Sequence, residues 1–137
     1  MDLVVLPRDD IGRFITSGNA VVTLESVRTK CRYTFKVVRS KKDKDVYFVK
    51  YLYGSDNMSD YRFCGVWNLS HERFYKGRGM GESKPYDVFL FFVSRLSNLP
   101  RGLNVYHSCK CGRCGRLLTT PESIRVGLGP ECLRQAS

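Results

Sequence analysis

"RYTFKVVRSKKDKDVYFVKYLY", Arg32 to Tyr53, places two runs of β-branched and aromatic residues on either side of a short charged stretch. Such residues fit a pleated, half-buried surface, and a polar break of this length suits a hairpin turn. In the first run Tyr33, Phe35 and Val37 point one way, and Arg32, Thr34 and Lys36 the other. Similar runs lie on both sides, "AVVTLESV" at 20–27 and "DYRFCGVWN" at 60–68. "RTK" and "GSDNMSD" supply the connections. The pattern predicts an antiparallel meander of about four strands, with a fifth short strand at "RFYK".

Beyond the meander, "GRGMGESKP" (77–85) reads as a glycine-rich loop. It lacks the Lys-Ser/Thr of a phosphate-binding loop and does not follow a strand in a βαβ setting. "PYDVFLFFVSRLSN" then predicts a helix. Pro85 suits its first turn, Asp87 complements its dipole, and Val88, Phe89, Phe92, Val93 and Leu96 form an apolar face. That face is expected to cover the sheet. "LNVYHS" (103–108) reads as a strand running into the C-terminal cysteines.

Composition bounds the rest. The 137 residues fit one domain or a domain with a small appendage, and 42% hydrophobic content argues against disorder. The longest purely apolar run, Val88 to Val93, is far too short to span a membrane. The N-terminus shows no secretory pattern, so a cytoplasmic protein is expected. No carboxylate cluster or histidine-rich motif points to catalysis, and His71-Glu72 reads as an exposed turn. A non-enzymatic binding protein is therefore expected.

The formal net charge is +10. Residues 28–50 carry nine Lys/Arg against two Asp, so most of the excess sits in one hairpin. Basic residues interleaved with aromatic ones on a sheet are the physical recipe for single-stranded nucleic acid. Cations track phosphates and rings stack on bases. Arg32, Lys36, Arg39, Lys41, Lys42, Lys50 and Tyr51 are the candidates here. Arg113 and Arg116, farther along, would be presented by the C-terminal element. Tyr47 and Tyr53 are interleaved with the hairpin cations as well.

Six cysteines without a secretory signal favour metal over disulfides. Cys111-Gly-Arg-Cys114-Gly115 has the form of a metal-gripping turn, with glycine taking the unusual φ that follows. "LGPEC" places Gly129 at a helix cap and Pro130 at the first helical position, so Cys132 falls in the first turn. "TTPES" reads as one short turn capped by Thr120. This spacing predicts a structural zinc held by Cys111, Cys114 and Cys132. The fourth ligand is open between Cys109, favoured by the dominance of thiolates in closed zinc sites, and His107. Cys31 and Cys64 read as small buried hydrophobes with free thiols.

The stretch from His107 to Cys132 resembles a zinc-binding element of small phage and mobile-element proteins, H-x3-C-x2-C-G-R-x-L-T-x-P-x-S-I-x2-G-x-G-P-x-C. Here it is met by His107, Cys111, Cys114, Gly115, Arg116, Leu118, Thr119, Pro121, Ser123, Ile124, Gly127, Gly129, Pro130 and Cys132. The upstream "FITSGNAVVTLES" is similar, more loosely, to proteins that end this way. The resemblance implies zinc, a phage-like origin and His107 as the fourth ligand, and the role of such proteins is not established.

The expectation is therefore an α+β protein. A twisted antiparallel β-sheet is packed by one helix over residues 1–106, and a zinc-knuckle element follows at 107–137. The expected function is that of a phage or mobile-element accessory protein binding nucleic acid, single-stranded by preference. The alternative is a phage effector that binds a host protein complex and inhibits nucleic-acid handling or defence.

Overall fold

The computed structural model describes residues 3–56 and 59–135. Seven antiparallel strands form one sheet, in the order β1-β7-β2-β3-β4-β5-β6. They are β1 (Val4–Val5), β2 (Asn19–Ser26), β3 (Arg32–Arg39), β4 (Val46–Leu52), β5 (Tyr61–Asn68), β6 (Arg73–Lys76) and β7 (Leu103–His107). The helices are α1 (Arg8–Ile15), α2 (Lys84–Ser94), α3 (Pro121–Val126) and α4 (Pro130–Gln135). The meander from β2 to β6 lies where the alternation predicts it. Of the third connection, residues 57 and 58 lie outside the described residues.

Two helices, where one was expected, supply the core on one face of the sheet. Ile11, Phe14 and Ile15 of α1 join Phe89 and Phe92 of α2 in a single buried cluster. Their partners from the sheet are Ala20, Val22, Leu24, Phe35, Val37, Tyr47 and Val49, successive inward positions of β2, β3 and β4. Helix α2 begins where Ser83 accepts a hydrogen bond from the Tyr86 amide, with proline in its first turn. Its Tyr86 ring stacks on Phe74 at 4.9 Å, and the Tyr86 hydroxyl donates to the Phe74 carbonyl, which fixes α2 to β6.

The β4–β5 register shifts at Val49/Lys50, so Cys64 and Gly65 are both buried in β5. Glycine is required there, because a Cβ at residue 65 would lie 2.3 Å from the Tyr75 carbonyl oxygen.

The opposite face holds one tight polar network. Glu25 accepts from the Arg32 guanidinium at 2.7 Å and from the Tyr106 hydroxyl at 2.8 Å, tying β2 to β3 and β7. Arg32 foremost, then Tyr106, lowers the Glu25 pKa from 4.5 to about 2. A depressed carboxylate stabilises the fold fully above its unfolded value and loses that contribution as pH falls towards the folded one. Glu25→Gln should therefore narrow the stability gap to the wild type between about pH 4.5 and 2. Urea midpoints across that range test this, and a gap independent of pH would show that the carboxylate charge is not what stabilises.

Candidate metal centre and an uncovered basic face

Strand β7 delivers the chain to the cysteines, and three of them gather. The sulfur atoms of Cys111, Cys114 and Cys132 all lie within 4.8 Å of one another, so they can hold a metal ion. The local folding follows the sequence closely. The Gly115 amide donates to the Cys111 carbonyl and closes the turn, with Gly115 at φ 78°. Helix α3 starts under the Thr120 hydroxyl, which accepts from Ser123, and ends on Gly127 at φ 78°. Pro130 then opens α4, and Cys132 sits in its first turn.

Backbone donors converge on this group. The Gly129 amide donates to Cys111 Sγ at 3.4 Å. Burial alone would raise the Cys111 thiol, but backbone hydrogen bonds from Cys114, Gly129 and Arg113 outweigh it and lower the pKa to about 7. Cys132 is pushed up to about 11, first by burial and then by the neighbouring Cys111 and Cys114 sulfurs. Three sulfurs gathered this closely, with backbone amides aimed at one of them, have the chemistry of a thiolate metal site.

His107 and Cys109 stand outside the cluster. The His107 ring is buried, its Nδ1 accepts from the Cys109 amide at 3.0 Å, and its Nε2 meets the Ile124 carbonyl at 2.5 Å. Burial lowers its pKa, partly countered by the Ile124 contact. Both ring nitrogens are thus occupied in tying β7 to the turn and to α3. Cys109 takes φ 62°, and its carbonyl accepts from the Leu118 amide.

The element is docked firmly on α1. Asn19 donates its amide to the Gly112 carbonyl, and Gly112 donates to Gly127. A Cβ at Gly112 would lie 2.4 Å from Ser17 Oγ, and one at Gly127 would lie 2.5 Å from the Phe14 ring. These glycines let the knuckle backbone settle directly on Phe14. All six cysteines are free, Cys64 buried and Cys31 exposed. The expectation of a buried Cys31 is corrected, because it lies in the turn ahead of β3 and not in the strand.

The sheet face away from α1 and α2 carries cations and aromatics in cross-strand rows. One row runs Val21–Lys36–Lys50–Phe63, and the next runs Val38–Phe48–Val66–Tyr75. Phe48, Phe63 and Tyr75 are exposed by 40%, 44% and 42%, which is unusual for large rings and marks the face as open. Lys36 Nζ lies 5.9 Å from the Tyr61 ring centre, and Arg73 lies over Tyr75. Among the described residues no ion pair involves Lys36 or Lys50.

Two hairpin candidates do not share this face. Tyr51 is half-buried against the core, because it alternates in phase with Tyr47 and Val49. Arg39 is exposed, but its guanidinium donates to the Tyr47 hydroxyl and the Thr16 carbonyl, clamping β3 to the end of α1. Arg32 is on the open face and engaged with Glu25. Lys41 and Lys42 are exposed in the β3–β4 turn. Arg113 is exposed and contacts Gln135, and Arg116 is exposed beside the cysteines. The rings that sequence reasoning passed over are Phe48, Phe63 and Tyr75. The available signal was phase, since Phe48 alternates with Lys50 and Tyr51 does not.

Among the described residues no helix is long and apolar enough to cross a membrane. No curated protein matches the chain, and no solved structure does. Residues 102–137, which contain all three clustered cysteines, are similar to a family of unknown function (DUF6011).

Proposed function

We propose that the protein binds single-stranded nucleic acid across the open face of its sheet, without catalysis, and that a zinc ion at Cys111, Cys114 and Cys132 holds the C-terminal element in place. The observation that carries the reading is the Lys36–Lys50 pair. The two lysines are direct cross-strand partners, and like charges so placed destabilise a sheet. Among the described residues no acid pairs with either. Phosphate would relieve that repulsion, and the adjoining row of exposed rings offers bases a stacking surface. Thiolate donors on a CxxC turn favour zinc among common divalent ions. The phage or mobile-element setting rests on the sequence resemblance.

Fluorescence anisotropy with labelled single-stranded oligonucleotides, run across a salt series, tests the proposal. Each neutralised phosphate contributes roughly −0.7 to the slope of log K against log salt. Lys36→Gln with Lys50→Gln should flatten that slope by about 1.4, on the same scale. Phe63→Ala should cost on the order of 1–3 kcal/mol of binding through lost stacking. Tyr51→Ala should instead lower thermal stability and leave the salt slope alone. Absence of binding at low salt would defeat the reading. The same face would then be read as a docking surface for an acidic protein partner.

A further inference from the structure

The three clustered sulfurs border a cavity of about 390 Å³. Its other walls include Arg116, Leu118, Thr119, Thr120, Pro130 and Glu131. Cys114 is exposed, while Cys111 and Cys132 are buried behind it. The metal site therefore has a solvent-facing side, and that side opens on a space large enough for a small molecule.

Among the described residues the three sulfurs gather without a fourth His, Cys, Asp or Glu donor within the same 4.8 Å. Both His107 nitrogens are engaged with backbone, at 3.0 Å and 2.5 Å. Releasing either would strand a buried polar group. Cys109 Sγ lies outside the group of three sulfurs, with its backbone fixed at φ 62°. The Glu131 carboxylate is paired with Arg134. Zinc nonetheless favours four donors, and three protein ligands with one exchangeable position is its usual accessible form.

We propose that a metal ion at Cys111, Cys114 and Cys132 takes its fourth donor from outside the chain, and that the cavity admits a small thiolate to that position. A thiolate matches the softness of the existing set. Arg116 lines the same cavity and can offset the anionic charge it adds, while the Glu131 carboxylate on that wall is paired with Arg134. The site is then an accessible coordination centre as well as a clamp on the fold. This rests on the reading of the cluster as a metal site.

The test uses the full chain loaded with cobalt(II) in place of zinc, with 2-mercaptoethanol and, separately, imidazole as probes. The intensity of the thiolate-to-cobalt charge-transfer bands counts bound sulfurs. Three thiolates are expected at the start, with saturable growth by about one third as a fourth joins. Imidazole should shift the ligand-field bands without changing the charge-transfer intensity. Cys109→Ala and His107→Gln, whose amide can keep one backbone contact, should titrate like the wild type. Wild-type bands indifferent to both probes would overturn the proposal and leave the metal centre standing. Failure of the wild type to bind cobalt would overturn the metal reading itself.

Discussion

Serine in place of Cys111 should release the metal and unfold the C-terminal element. Cys111 is almost wholly buried, its sulfur accepts the Gly129 amide, and its backbone bonds to Arg116 and Gly115. The hydrophobic cluster around it is small: Cys111, Leu118, Val126, Leu128 and Cys132, with Ile124 and Leu133 packed alongside. A core of that size does not hold a segment of irregular turns and two six-residue helices without a staple. Metal binding in comparable small elements supplies about 10–16 kcal/mol, and that binding energy is folding energy. Elemental analysis of Cys111→Ser should find metal largely lost, and limited proteolysis should clip the chain after β7. Chelation of the wild type should reproduce both results. Full metal content in the serine variant, or resistance of the chelated protein to cleavage, would refute this account.

Phe14→Ala should be the most damaging single change away from the cysteines, with a loss of about 3–5 kcal/mol. Phe14 is fully buried in the main core, and its ring lies 5.8 Å from that of His107. The backbones of Gly112 and Gly127 approach the same ring so closely that neither tolerates a Cβ. One side chain therefore belongs to the sheet core and to the floor of the metal element together. Its removal should lower the urea midpoint of the sheet and speed metal loss to a chelator. An effect confined to one of the two readouts would show that the halves are less coupled than this packing implies.

Much of this architecture is local and was readable from the chain. Strands β3 and β6 fall at the residues expected, and β2, β4, β5 and β7 fall within one or two residues of them. Alternation of side chains is a property of the strand itself, so it survives without tertiary information. The CxxC turn, the Thr120 cap and the Pro130 start were legible for the same reason. Helix α1 was passed over. It spans eight residues, has no side-chain cap at Pro7, and contains Gly12. Its signal was Ile11, Phe14 and Ile15 at helical spacing, easily lost among charged neighbours.

Strand order depends on distant partners and was not legible. Strand β7 pairs with β2 and with the two residues of β1, so it closes the sheet on a side that the meander pattern does not mention. The expected boundary at residues 106/107 consequently runs through β7, the strand that carries the element. The same packing between distant elements sets the surroundings of His107. Four residues ahead of Cys111, it would need a bend in the chain to reach the cluster, and the fold turns its ring between the Cys109 amide and the Ile124 carbonyl.

By itself the sequence determined the β-rich hairpins, their charge, and a cysteine spacing suited to metal, because turns, caps and alternation are set by neighbouring residues. The tertiary structure alone decided which rings share a face with Lys36 and Lys50, and that, among the described residues, the sulfurs of Cys111, Cys114 and Cys132 gather. Those are matters of register and of packing between elements far apart in the chain, where a single residue of phase moves a side chain from solvent to core.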